Sequence, residues 1–327
     1  MISMKAIAKE AGVSRTTVSF VLNGRYKDDL KLSEPIVQKV LETADRLGYV
    51  RNKLVDCVVT GKSNVIAVLS HFGDYTIPTI KGCVEAAAEH NCIIKLIPLE
   101  KDINRALMHA VEFRVAGIFA DSLQRSEMEQ INPKFFRYGI PSYGLTPETH
   151  KIVFNQKESS CRGTEYLIRK GFRKIVFMGC YTEISRLRED GYREVMLKNG
   201  LEPRVLCCDM YPEEICRISH ELIDLKPEAI QCANDSLALI LLHECFIKNV
   251  RIPEAFAVLG FGNVPGSRFS APTLSSVNEP YYETGRLHFQ LIYDLICQKT
   301  EHRYEPLIGE VIERESTTSL QSINKYL

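Results

Sequence analysis

The first 48 residues carry apolar positions at helical spacing in three pieces. Met4, Ile7, Ala8 and Ala11 make one stripe, Val18, Val21 and Leu22 a second, and Val37, Val40, Leu41, Ala44 and Leu47 a third. Gly12, which tolerates a tight turn, divides the first two, and Ser14 is a natural cap for the helix predicted over 15–22. Asn23-Gly24 ends that helix. Ser33, with Pro35 in the first turn, opens the third, which Gly48 closes. The outward face of the second helix holds Arg15, Thr16, Ser19 and Phe20. Helix, short turn and helix is the arrangement that lets a recognition helix enter the major groove, and an ordinary three-helix surface bundle shares the same spacing.

From residue 65 the period changes. Short β-branched runs at 65–69, 93–97 and 116–120 alternate with amphipathic stretches at 79–90 and 104–113. After a helix over 161–170 the alternation restarts, with strands predicted at 174–178, 205–208, 229–233 and 256–261 and helices at 187–198, 213–225 and 237–248. Such alternation predicts two α/β halves with parallel sheets wrapped by helices, and ligands bind such sheets beyond the carboxyl ends of the strands. The residues at those ends are 70–75, Asp121-Ser122, Asn155-Gln156, 180–188, Asn234-Asp235 and Gly262-Asn263. Arg188 is suited to clamp a carboxylate, a phosphate or paired hydroxyls, and Asn234 with Asp235 to exchange hydrogen bonds with sugar-like hydroxyls. The plainer alternatives are a solvated helix face for Arg188 and a helix cap at Asp235.

Composition narrows the class. A chain of 327 residues, 45% hydrophobic and 25% charged, is that of a folded, soluble protein. Its longest apolar run, 237–242, is far short of the ~18 residues of a membrane span, and the first ten residues lack a secretory core, so a cytoplasmic protein is expected. Eleven cysteines without a C-x-x-C pair suit neither a disulfide framework nor a zinc motif, and no cofactor or metal is expected. Lys and Arg balance Asp and Glu at 41 each, yet residues 1–62 hold 11 basic against 7 acidic side chains, leaving the head at +4 and the body at −4. That asymmetry suits a nucleic-acid-binding head on an unrelated body. No G-x-S-x-G or H-E-x-x-H occurs. Gly61-Lys62-Ser63 is no phosphate loop, because Asp56 stands where that motif needs glycine, and Gly260-Phe261-Gly262 is a lone G-x-G.

The run from Lys5 to Ser14, followed by Thr17-Val18-Ser19 and Val21-Leu22-Asn23-Gly24, resembles the head of the lac repressor (LacI/GalR) family. The resemblance implies that Arg15, Thr16 and Phe20 read bases, while Ser14, Thr17, Ser19 and Asn23 grip or frame phosphates. Phe20 stands where the family has a polar or basic residue, which exchanges a hydrogen-bonded contact for an apolar one and favours an A·T pair. The family continues into a hinge helix that orders on DNA and drives a leucine into the minor groove. Here Val58 holds the lever position, with Arg51, Val55 and Asp56 also differing from the family. Valine is a shorter wedge and the β-branched run weakens the helix. A plain linker over this stretch is the alternative.

Arg188 three residues before Gly191-Tyr192-Arg193, Ala233-Asn234-Asp235 before a helix, and 258–261 leading to 267–272 resemble the family's effector-domain landmarks. This implies an effector pocket lined by Arg188, Asn234 and Asp235, with Asn155 near the crossover, Asn263 at a strand end and Tyr75 as a stacking aromatic. Gly262 replaces a common acidic residue, and Asn155-Gln156 replaces a common Asp-Asn pair, so two acceptor charges are missing.

The expected architecture is an all-α helix-turn-helix head at 1–48, a hinge at 49–63, and a periplasmic-binding-protein-like α/β body at 64–327. Two doubly wound parallel-sheet lobes, roughly 64–156 with 279–308 and 157–278 with 309–320, make up the body. The expected function is that of a sequence-specific regulator, a homodimeric repressor on a pseudo-palindromic operator, controlled by a small-molecule effector such as a sugar or related metabolite. A solute-binding protein of the same two-lobed fold without a DNA role is the alternative, followed by a sugar kinase or dehydrogenase, against which the absent phosphate and dinucleotide motifs count.

Overall fold

The computed structural model describes residues 2–24, 26, 32–50, 63–73, 76–99, 102–120, 123–146, 153–299 and 304–318. Arg51, Val55, Asp56, Val58, Tyr75 and the Asp121-Ser122 pair lie outside them. The chain divides into two units, Met1–Ser63 and Asn64–Leu327.

In the first unit, helices α1 (Met4–Ala11), α2 (Arg15–Leu22) and α3 (Glu34–Arg46) enclose a core of Ile7, Ala11, Val18, Val21, Val37 and Val40. Ser3 caps α1 by accepting from the Ala6 amide. Gly12 stops it in the left-handed region at φ 68°, where the missing Cβ removes the steric cost. Ser14 then caps α2, its hydroxyl accepting from the Thr17 amide at 3.0 Å. An exposed ion pair between Arg46 and Glu10, 3.1 Å apart, spans α3 and α1.

The second unit has two sheets. The four-stranded sheet has the order β2-β1-β3-β4 and is parallel throughout, from β1 (Val65–Ser70), β2 (Ile93–Pro98), β3 (Gly117–Ala120) and β4 (Ser142–Tyr143). Helices α4 (Thr76–Glu89), α5 (Ile103–Glu112) and the short α6 (Arg125–Met128) accompany it. The six-stranded sheet has the order β10-β9-β8-β7-β5-β6. It contains β5 (Ile175–Cys180), β6 (Arg204–Cys208), β7 (Ala229–Cys232), β8 (Ala257–Gly262) and β9 (Ser275–Asn278), parallel to one another, with β10 (Val311–Ile312) antiparallel at the edge. Its helices are α7 (Gln156–Arg169), α8 (Glu183–Lys198), α9 (Pro212–Leu225) and α10 (Asp235–Ile247). The central strands β3, β5, β7 and β8 are buried at every position, whereas the edge strand β2 is mostly exposed or half-buried. Continuous apolar runs are what a parallel sheet covered on both faces requires.

Helix α11 (Tyr281–Ile296) is absent from the elements that the apolar spacing predicts. Its inward face mixes Phe289, Leu291 and Ile292 with buried Thr284, His288 and Asp294, and those polar positions interrupt the stripe. Although α11 follows β9 in sequence, it packs on α4 and on Ile66, Val68 and Phe119 of the first sheet. The chain therefore crosses between lobes three times. The crossings lie side by side: the Asn155 amide donates to the Leu307 carbonyl at 2.8 Å, the Leu307 amide to Val153 at 2.9 Å, and the Asn278 amide to Glu310 at 2.7 Å.

Candidate functional site

In the head, Arg15 and Thr16 are exposed at the first turn of α2. Thr17 is half-buried, its hydroxyl 2.9 Å from that of Ser14, so the cap fixes both side chains. Ser19 and Phe20 are half-buried, and Asn23 donates from its side-chain amide to the Ser19 hydroxyl at 3.1 Å. Ser14, Arg15, Thr16, Thr17, Ser19, Phe20 and Asn23 thus belong to one short helix and its two caps. Arg15 offers a charged fork of donors, and Phe20 offers apolar surface and nothing else.

In the body, Arg188 projects from the first half of α8 and is 7% exposed. Its Nε donates to Gln156 Oε1 at 2.8 Å, Nη1 to the Ala233 carbonyl at 2.7 Å, and Nη2 to Glu279 Oε2 at 2.9 Å. The guanidinium lies 3.6 Å from the centre of the Phe261 ring, and the Gln156 side-chain amide donates to Glu279 Oε1 at 3.2 Å. Arg188 therefore ties lobe 2 to two of the crossing segments, at the start of α7 and just after β9. A buried cation held this way is neither solvated nor a bare clamp.

Asn234, not Asp235, is the cap of α10, its side-chain oxygen accepting from the Leu237 amide at 2.9 Å; the helix starts at Asp235, two residues before the start at 237 that spacing suggests. Asp235 is turned inward. Its carboxylate accepts from the Val264 amide (2.8 Å), the Ser267 hydroxyl (2.7 Å) and the Ser276 hydroxyl (2.7 Å), and so fastens the loop after β8 to β9. The G-x-G at 260–262 has a packing origin: a methyl on Gly260 would overlap Asp235 Oδ1, and Gly262, at φ 123°, leaves room for the Tyr281 hydroxyl. Burial, with the Glu279 carboxylate beside it, pushes the Tyr281 phenol up, which keeps it a proton-bearing donor. Asn263, at φ 53°, donates to Asn278 Oδ1 at 2.8 Å and accepts from Arg314 Nη2 at 2.6 Å. Asn155 caps α7 through the Glu158 amide.

A cavity of about 230 Å³ opens between the lobes. Its wall takes Pro78 from α4, Asn263, Val264 and Pro265 from lobe 2, and 278–283 from the crossing segment. Of the candidate ligand residues within the described chain, Asn263 lines this cavity, while Asn155, Arg188, Asn234 and Asp235 stand behind or beside the wall. Glu279 and Tyr281 are the contributors that sequence reasoning missed. The signal was present in Asn278-Glu279-Pro280, where proline ends a strand beside an acidic residue, but α11 itself was unrecognised.

Residues 3–52 match the family described as bacterial regulatory proteins, lacI family, and residues 164–317 match the periplasmic binding protein-like domain. The chain is 25% identical to the HTH-type transcriptional regulator GntR of Pseudomonas aeruginosa, over 96% of this chain and 95% of that protein. It is 28% identical to the NTD biosynthesis operon regulator NtdR of Bacillus subtilis, over 97% of this chain and 100% of that one. Among solved structures it is similar to the lac repressor dimer bound to operator and the anti-inducer ONPF, with a TM-score of 0.84, 18% identity, and coverage of 97% and 99% of the two chains. That last likeness is one of fold. No helix among the described residues is long and apolar enough to cross a membrane.

Proposed function

The chain belongs to the LacI family of bacterial regulatory proteins, and on that premise we propose that it is a homodimeric, cytoplasmic repressor whose two heads read a pseudo-palindromic operator. The observation that carries this is the exposed first turn of α2, with Arg15 and Thr16 free to meet base edges while Ser14 and Thr17 fix the turn. Arg15 is assigned the bidentate contact to guanine, Thr16 and Phe20 contacts with thymine methyls, and Ser14, Thr17, Ser19 and Asn23 the phosphates. Val58 is assigned the minor-groove wedge of the hinge. Two identical heads require half-sites about one helical turn apart.

Control comes from a small molecule between the body lobes, near Asn155, Arg188, Asn234, Asp235, Asn263 and Tyr75. A ligand shifts operator binding only by its difference in affinity for the two dimer states, typically ~1–3 kcal/mol. The family is one of regulators, and the chain's work is binding without chemistry on its ligand.

The test is a substitution read on DNA. Arg15→Ala is expected to cost roughly 1–3 kcal/mol of specific affinity and to relax base choice at one symmetric position, leaving the rest of the site unchanged. Competition binding against single-base variants of the site measures it. An unchanged base preference would remove Arg15 from the reading face.

A further inference from the structure

Helices α4 and α11 run side by side in the same direction, because their contacts advance along both together. Gly82 lies against the Tyr282 carbonyl, the Tyr282 hydroxyl donates to Glu85 Oε2 at 2.6 Å, and Arg286 donates to the two Glu89 oxygens at 3.0 and 2.9 Å. The His90 ring then meets Phe289 and Tyr293, with centroids 5.5 and 4.4 Å apart. The two helices therefore end next to each other, and a cysteine follows each end. Past α4 the chain turns through Asn91, at φ 55°, and Cys92 folds back onto the cluster that holds Tyr293 and Ile296. Cys297 caps α11 directly after Ile296, and its thiol shares a hydrogen bond with the Tyr293 phenol. Tyr293 thus has the thiols of both helix ends as neighbours.

Exposure separates this pair from the other thiols. Among the described cysteines Cys297 is the exposed one, and Cys92, Cys207 and Cys216 are half-buried. Cys207 and Cys216 belong to lobe 2, while Cys83 of α4 is 1% exposed inside the core. We propose that Cys92 and Cys297 form a redox site, at which a hydroperoxide converts the two thiols into a disulfide that ties the end of α4 to the end of α11. Cys297, on the surface, meets the oxidant. Its sulfur takes one peroxide oxygen as the O–O bond breaks, which leaves a sulfenic acid on Cys297 and releases water from hydrogen peroxide, or an alcohol from an organic one. The Cys92 sulfur then attacks the Cys297 sulfur. The S–S bond forms, the S–O bond breaks, and the hydroxyl departs with the Cys92 proton as a molecule of water. In sum the two thiols give up two electrons and two protons, and the peroxide receives them. Burial, and then the neighbouring Cys297, push the Cys92 thiol up, which keeps Cys92 out of the first step and leaves it the resolving partner. In a reducing compartment a bridge of this kind is transient and senses oxidant, since dithiols reopen it.

The experiment exposes reduced full-length protein to hydrogen peroxide, blocks the remaining thiols with N-ethylmaleimide, and maps the digested peptides by mass. The main oxidation product is expected to be one peptide pair, Cys92 joined to Cys297, lighter than the two thiol peptides by two hydrogens and separated again by dithiothreitol. The variants then tell a dithiol from a surface thiol that merely oxidises. Cys92→Ser is expected to stop the reaction at the Cys297 sulfenic acid, so that labelling of Cys297 by dimedone rises severalfold over the natural protein. Cys297→Ser is expected to leave Cys92 as a thiol under the same treatment. If either variant fails to fold, the peptide map of the natural protein decides the matter by itself. A Cys297 that stays open to N-ethylmaleimide, that passes to sulfinic acid without a bridge, or that joins Cys57 or a second copy of the chain would overturn the proposal. Equal dimedone labelling of Cys297 with and without Cys92 would overturn it too.

Discussion

Gly285→Ala is expected to destabilise the body by about 3 kcal/mol or more, although alanine is the better helix former. The reason is the crossing of α4 and α11. A methyl on Gly285 would overlap the Thr79 carbonyl oxygen, and one on Gly82 would overlap the Tyr282 carbonyl oxygen, so each glycine receives the other helix's backbone. Backbone cannot rotate aside as a flexible side chain can. The helices must separate, which loosens Cys83, Ala86 and Ala87 from Phe289 and Ile292 in one core. Overpacking of this kind costs 1–3 kcal/mol where side chains can adjust and more where they cannot. Propensity works the other way by only about 1 kcal/mol. Urea unfolding of the full chain, followed in the body, measures the loss. An unchanged midpoint would mean that the helices do not meet at these two glycines.

Glu279→Ala is expected to cost about 3–5 kcal/mol, because it strands a buried guanidinium. Arg188 and Glu279 have side chains only 8% and 12% exposed, so water cannot replace the lost carboxylate. The double variant Arg188→Met, Glu279→Gln is expected to lose much less than the sum of the two single changes, since no uncompensated charge remains. A double-mutant cycle in urea gives the coupling directly. Additive losses would contradict the pair. Because the pair joins α8 to the crossing segment between β9 and α11, the same cycle reports how firmly lobe 2 is held to the segment about which the lobes are connected.

The head was legible nearly residue by residue. Its stripes, Gly12 and Ser14 carry periodicity and capping in the sequence itself, and the helices 4–11 and 15–22 coincide with the observed ones. Seven of the parallel strands were legible too, as short apolar runs, whereas β4 and β9 were not, because one is two residues long and the other is mostly serine and asparagine. Helix α11 was not, since His288, Thr284 and Asp294 are buried where a stripe needs apolar residues. The cleft was legible only as a list of types. Spacing brings Arg188 to a strand end, but its partner Glu279 is 91 residues away, and no local pattern states that the two meet. Asp235 shows the same limit: its three donors come from Val264, Ser267 and Ser276, which the topology of β7, β8 and β9 brings round it.

Sequence reading by the two heads is measured by a binding selection from random duplex DNA with the full-length protein at about physiological ionic strength, where specific and non-specific binding separate. A two-fold symmetric motif is expected, its half-sites each holding a guanine placed by Arg15, with an A·T pair opposite Phe20. Enrichment of no sequence over the starting pool, by a protein that still binds DNA, would contradict it.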